Sequence, residues 1–99
     1  MKRGSTPTNT FSVDLDLTGA TVFITYKQGG KTIVEKTGSD ITVTSTSLET
    51  QLTQEETLAF AQGEVEMQIR YVFPDGTADA SDIMRTKADR ILKDGVITP

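Results

Sequence analysis

Pairs of acidic residues are the first feature of the sequence that could do chemistry. Asp14 and Asp16 stand two positions apart, and so do Glu64 and Glu66. In a strand this spacing places both side chains on one face, where two carboxylates could bind Ca²⁺ or act as an acid and a base. An isolated pair carries little specificity, so we interpret both pairs as solvated acids on an outer strand face.

Two segments share only part of the pattern of a ligand loop. Residues 75–82 carry oxygen-bearing side chains at alternate positions, but an EF-hand would need Gly and Glu where Ala80 and Thr86 stand. Residues 28–31 end in Gly-Gly-Lys, but the first glycine of a phosphate loop is missing and a strand pattern follows instead of a helix. We predict turn chemistry at both segments.

Basic and aromatic residues could form a binding surface. The basic residues in question are Arg70, Arg85, Lys87, Arg90 and Lys93. Glu66, Asp82 and Asp89 interleave with them, which favours a mixed, salt-bridged surface over an anion site. The aromatic residues could form a sugar platform, but most occupy alternating strand positions and are predicted to belong to the core.

The residue types that are missing exclude much of enzyme chemistry. The sequence contains no Cys and no His. Disulfide scaffolds, thiol nucleophiles, zinc sites with the usual ligands, and Ser-His-Asp or Cys-His catalysis are therefore excluded. We predict no catalytic, cofactor-binding or metal-binding residues, and no cofactor.

Length and charge set the class of protein. The chain has 99 residues, enough for one domain, and a net charge of −4 from 10 basic and 14 acidic residues. This balance argues against a nucleic acid partner, and the absence of an 18-residue apolar run argues against a membrane partner. Residues 1–7 begin with charge but lack the apolar stretch of a signal peptide, so we expect cytoplasmic synthesis, with the virion as a further destination.

The elements that must position these residues are strands. Thr accounts for 17 residues, and its branched side chain favours a pleated sheet with one wet face. Alternating apolar residues predict strands over residues 8–17 and 20–27. Gly29 and Gly30 predict a hairpin to a strand over residues 31–36, in a register that pairs Tyr26 with Ile33.

The second half of the chain continues the pattern. Short strands are predicted over residues 41–44 and 48–52, and Thr53 and Glu56 form a capping box for a short helical turn near residues 54–61. The alternation over residues 64–73 predicts a further strand. Residues 74–77 suit a type I turn with a glycine bulge, and the irregular last strand, residues 78–92, is predicted to have a bulge near Asp82.

The motifs of the chain resemble those of phage proteins. Residues 1–8 with Phe11, residues 52–58, and Asp75-Gly76 with residues 80–83 resemble small uncharacterised prophage proteins of Gram-positive bacteria, over most of the chain. Residues 17–22 and 31–36 resemble, over a smaller part, the N-terminal immunoglobulin-like module of phage baseplate upper proteins. Neither resemblance implies a catalytic residue.

These observations together predict an all-β, immunoglobulin-like antiparallel β-sandwich of about seven strands with one short helical turn. We expect an N-terminal arm over residues 1–7, a single domain over 8–93 and a C-terminal tail over 94–99. The predicted core is Phe11, Val13, Leu15, Val22, Ile24, Tyr26, Ile33, Val65, Met67, Ile69, Tyr71 and Met84.

The expected function is that of a non-enzymatic structural or assembly protein of a phage tail or baseplate. Its partners would be other phage structural proteins or further copies of itself, through strand edges and flat faces. The alternative is a free-standing binding module for a glycan or a host protein, acting as an adaptor or inhibitor. An enzyme would need a constellation of nucleophile, base and orienting groups that the sequence does not contain.

Overall fold

The computed structural model describes residues 1–99 as two antiparallel sheets that pack face to face. The strands are β1 (Thr8–Ser12), β2 (Thr21–Gln28), β3 (Lys31–Thr37), β4 (Thr42–Val43), β5 (Ser47–Gln51), β6 (Gly63–Val72), β7 (Ala78–Ala80) and β8 (Met84–Ala88). There is one α-helix, α1 (Gln54–Leu58), and one turn of 3₁₀ helix (Gly38–Asp40). The small sheet has the order β1-β5-β4. The large sheet has the order β3-β2-β6, and β7 and β8 pair with successive parts of β6.

This architecture confirms the predicted class, an all-β antiparallel sandwich with one short helical turn. Because β7 and β8 lie along the same edge of β6, they act as one interrupted strand, and the sandwich has seven strand positions. The capping box of α1 is present as predicted: the Thr53 hydroxyl accepts from the Glu56 amide, and the Glu56 carboxylate accepts from the Thr53 amide. The helix is long enough for one turn only. A membrane-spanning helix is not found in the structure.

The core follows the inner faces of the two sheets. Its buried apolar residues are Phe11, Leu17, Val22, Ile24, Tyr26, Val34, Ile41, Leu48, Leu52, Phe60, Val65, Ile69 and Ala88. The predicted core residues Val13, Ile33, Met67, Tyr71 and Met84 are only half-buried and pack around this cluster.

The prediction that Leu15 belongs to the core is wrong, because 40% of this residue is exposed. The strand predicted over residues 8–17 ends at Ser12, and the chain bends at Asp14 and Leu15. The bend turns Leu15 outward and brings Leu17 back into the core, where it is fully buried.

The predicted pairing of Tyr26 with Ile33 is also wrong. Gln28 faces Lys31 across the Gly29-Gly30 turn as expected, but a bulge at Ile33 shifts the register, and Tyr26 pairs with Val34. A bulge places two residues opposite one and moves the following side chains to the other face. As a result, Val34 and Lys36 point into the sandwich and are buried.

The last predicted strand is shorter than expected and divided. Pairing stops at Ala80 and resumes at Met84, with three residues on this edge opposite two on β6, so the predicted bulge near Asp82 is present. The strand ends at Ala88 and does not reach residue 92. The turn before it has the predicted form, since Gly76 has a φ of 89° and donates its amide hydrogen to Phe73 at 2.9 Å.

The two ends of the chain lie against the sandwich. The backbone of Met1 accepts from the Asp89 amide at 2.7 Å, and the Arg3 amide donates to the Asp89 carbonyl at 3.1 Å, in a parallel pairing that covers the end of β8. At the other end, the Gln54 side chain makes two hydrogen bonds to the backbone of Ile97. The terminal segments therefore meet near α1.

Candidate functional site

The acidic pair Asp14 and Asp16 does not form a site. Asp16 accepts hydrogen bonds from the Thr18 hydroxyl at 2.6 Å and the Thr18 amide at 2.9 Å. The hydroxyl and then the amide lower the pKa of Asp16. Asp16 is thus the carboxylate of a local turn, a common use of Asp outside regular structure.

Asp75 has the same role in the hairpin that joins β6 to β7. Its carboxylate accepts from the Thr77 amide at 2.9 Å, and hydrogen bonding to Thr77 lowers the pKa of Asp75. Across the whole chain, no group of three or more Asp and Glu side chains lies close enough to hold a metal ion. In the same segment, the Asp79 carboxylate accepts from the Ala80 amide at 2.8 Å, so Asp75 and Asp79 both serve local backbone structure.

The basic residues singled out in the sequence lie in two regions. The outer face of the large sheet carries Arg70, Arg85 and Lys87, whereas Arg90 and Lys93 follow the end of β8. Arg85 lies 3.5 Å from Glu64 and 3.5 Å from Glu66, and all three side chains are exposed. No ion pair involves the other basic residues of this set, which are Arg70, Lys87, Arg90 and Lys93. The outer face of the large sheet also carries a shallow trough of about 400 Å³ around Thr25, Gln68 and Arg70, with a single apolar residue, Ile83, in its lining.

A groove at one side of the sandwich has a different chemistry. We call it the side groove; it has a volume of about 380 Å³ and is lined by Ser12, Val13, Asp14, Leu15, Tyr71, Ser81, Asp82 and Met84. One wall comes from the end of β1 and the bend that follows it. The other wall comes from the interruption between β7 and β8, and β6 supplies the floor.

Both walls of the side groove are strand edges with unused pairing capacity. β1 pairs only with β5, and β7 pairs only with β6, so their outward backbone groups have no strand beside them. The outer edge of β8 is covered at its end by residues 1–3 and is free only near Met84. On the β1 wall, the Val13 amide still donates to the Thr46 carbonyl at 2.9 Å before the chain bends away. An exposed strand edge is a template for pairing with another chain unless it is protected.

Ser81 holds the interruption between β7 and β8 against β6. Its amide donates to the Ile69 carbonyl at 2.8 Å, its hydroxyl accepts from the Ile69 amide at 3.0 Å, and its carbonyl accepts from the Gln68 side chain at 2.9 Å. Ser81 thereby replaces the ladder bonds lost at the bulge. The two residues that follow, Asp82 and Ile83, project from the sheet and are exposed.

The floor of the side groove is apolar and its rim is acidic. Tyr71 and Met84 are half-buried there, and the Tyr71 ring meets the Phe73 ring edge-on with their centroids 5.7 Å apart. Asp14 and Asp82 stand exposed at the rim, and neither takes part in an ion pair. The groove can thus receive an extended apolar segment that carries positive charge.

The groove was not visible in the sequence as a site. The alternation over residues 11–17 assigned Leu15 to the core, whereas the bend makes it part of the groove's rim. The usable signal was Ile83, which breaks the alternation of the last strand and indicated the bulge. Nothing in the sequence brings residues 12–15 beside residues 81–84, because that contact depends on how the two sheets pack.

Comparison with known proteins assigns no family. No protein-family model matches the chain, and no curated protein matches it. Among solved structures, the chain is similar to the V domain of amphioxus IgVJ-C2, with a TM-score of 0.38 and 15% sequence identity over 92% of this chain and 97% of that one.

Proposed function

We propose that this protein is a non-enzymatic, phage-derived structural or assembly component of a tail or baseplate, which acts through protein–protein contacts. The observation that supports this proposal is the side groove, a channel with an apolar floor and a polar rim between the unpaired edges of β1 and β7. An extended chain that enters such a channel can pair its backbone with an edge while its side chains fill the apolar floor. Synthesis in the cytoplasm followed by incorporation into the virion fits this role.

The non-enzymatic part of the proposal is supported by what the carboxylates do. Asp16 and Asp75 are engaged in turns, and Glu64 and Glu66 face Arg85 on an exposed sheet surface. A catalytic site needs a nucleophile, a base and an orienting group within hydrogen-bonding reach of one another. The titratable groups of this chain form no such constellation.

The side groove can be tested with one substitution and a matched control. Leu15→Asp places a charge at the rim, and Val43→Asp makes the same change at a residue that is 38% exposed on β4, away from the groove. We expect Leu15→Asp to weaken association with purified tail and baseplate proteins or with further copies by about tenfold or more, and Val43→Asp to leave it intact. Light scattering and cross-linking would measure association, and thermal melts would verify the fold of both variants.

A wild-type protein that stays monomeric at every concentration and binds none of the tail or baseplate proteins would contradict the proposal. If Leu15→Asp associates as strongly as the wild type, the side groove is not the surface that makes the contact.

A glycan- or host-protein-binding module is the second candidate, favoured by the position of Tyr71. Tyr71 lines the side groove together with Asp14 and Asp82, and an aromatic side chain near hydrogen-bond acceptors suits a sugar ring. Under this alternative, glycan-array binding would be present in the wild type and lost in Tyr71→Leu, which keeps an apolar side chain in the floor. Absence of binding by the wild type to glycans and to candidate host proteins would exclude it.

A further inference from the structure

Most exposed large apolar residues of this chain lie in the side groove or in the C-terminal part of the chain. Leu15 lines the side groove and is 40% exposed. Leu92, Val96 and Ile97 lie in the C-terminal segment, here defined as residues 90–97, and are 92%, 49% and 56% exposed. The other two, Val43 and Ile83, lie elsewhere, on β4 and in the trough on the outer face of the large sheet. Exposed apolar residues that gather in this way indicate contact surfaces.

The two surfaces carry opposite charge. Asp14 and Asp82 at the rim of the side groove have no basic partner. In the C-terminal segment, Arg90 and Lys93 have no acidic partner. Asp94 forms an ion pair with Arg3, with 3.6 Å between Oδ1 and Nη2. Complementary charges of this kind steer two surfaces together and fix their orientation.

The C-terminal segment is held in place by its own molecule, but not in its own groove. The Gln54 side chain donates to the Ile97 carbonyl at 3.0 Å and accepts from the Ile97 amide at 2.9 Å. The hollow beneath the segment is lined by residues such as Gly4, Gln54 and Ile91, and it shares no residue with the side groove. The segment is therefore presented on a different surface from the groove, with its apolar side chains uncovered.

From these observations we propose that the C-terminal segment of one copy occupies the side groove of a second copy. The inference rests on the proposed function and names the occupant of the same groove. Because the donating and receiving surfaces differ, the contact is heterologous, and repetition gives a ring if the rotation closes or a filament if it does not. Apolar side chains of the segment cover Tyr71 and Met84, while Arg90 and Lys93 meet Asp14 and Asp82.

The test uses two variants that each block one surface. Leu92→Asp places a charge in the C-terminal segment and leaves the side groove unchanged. Leu15→Asp places a charge in the side groove and leaves the C-terminal segment unchanged. Val43→Asp is the control. By light scattering over a wide concentration range, we expect wild type and Val43→Asp to assemble. We expect each blocking variant to weaken association by about tenfold or more, as the loss of one buried leucine predicts.

Mixing the two blocked variants provides the decisive measurement. Leu92→Asp still has a groove and Leu15→Asp still has a segment, so an equal mixture should give a dimer that cannot grow. Failure of the mixture to dimerise, full assembly by Leu92→Asp, or a monomeric wild type would each overturn the inference. If Leu92→Asp assembles while Leu15→Asp does not, the groove keeps its proposed function with another occupant.

Discussion

At the scale of single residues, the least expected feature is an ion pair between β3 and α1. Lys36 is 7% exposed, and its Nζ lies 2.7 Å from Oε1 of Glu56. Burial alone would raise the pKa of Glu56, but hydrogen bonds from Lys36 and Thr53 outweigh it and lower that pKa. The bulge at Ile33 creates this pair, because without it Lys36 would point to solvent.

Removal of Glu56 alone should therefore lower the free energy of unfolding strongly, whereas replacement of both charged residues should lower it only slightly. We expect Glu56→Ala to lower the free energy of unfolding by about 3–5 kcal/mol, because it leaves the Lys36 ammonium buried without a partner. The double variant Lys36→Met with Glu56→Leu should recover most of the loss, since apolar residues of similar volume can replace a buried pair. Urea unfolding at neutral pH measures both.

The same pair sets a pH dependence that serves as the control. Because the folded pKa of Glu56 is lowered, its contribution is complete above the ordinary glutamate value of about 4.3 and is lost as the pH falls through the folded pKa. The stability of the double variant should decline less steeply in this acidic range than that of the wild type. Parallel declines would show that the pair contributes nothing to folding.

At the scale of elements, the turn between β2 and β3 has a backbone conformation that restricts which residue types it can contain. Gly29 and Gly30 have φ angles of 59° and 78°, the pair of positive values that a type I′ turn requires. A side chain added at Gly30 would meet no atom within 4 Å, so any cost of substitution comes from the backbone conformation.

Gly30→Val should thus destabilise the protein by about 1–2 kcal/mol, because a β-branched residue adopts positive φ only with strain. Gly30→Asn should cost less, since Asn tolerates this conformation. Chemical denaturation of both variants provides the comparison. Equal losses would mean that the turn has another conformation in solution.

At the scale of the whole molecule, the ends of the chain complete a small core. Only 16 of 99 residues are buried, so ties between distant segments matter for stability. Arg3 provides one: its Nε donates to the Phe60 carbonyl at 2.6 Å and its Nη2 to the Leu58 carbonyl at 2.9 Å. These carbonyls lie at and just beyond the end of α1, where the helix itself supplies no donors.

We expect Arg3→Lys to destabilise the protein by about 1.5–3 kcal/mol, because an ammonium group cannot reproduce the two-pronged geometry of a guanidinium. The matched control is Lys2→Ala. Lys2 is the neighbouring basic residue, and its exposed contact with Asp89 spans 3.9 Å, so the change should be nearly neutral. Thermal or urea unfolding measures the stability of both variants. Equal stability would show that the hydrogen bonds of Arg3 to Phe60 and Leu58 do not stabilise the fold.

The sequence alone determined the features that depend on neighbours along the chain. The Gly29-Gly30 turn, the capping box at Thr53, the glycine bulge at Gly76 and the alternation of β2 and β6 all follow from local steric and hydrogen-bonding rules. Tertiary structure decided the rest. The bend that exposes Leu15, the bulge that buries Lys36 and the meeting of β1 with the β7–β8 edge depend on how two sheets share one core. Such contacts join residues far apart in the chain, and no local pattern encodes them.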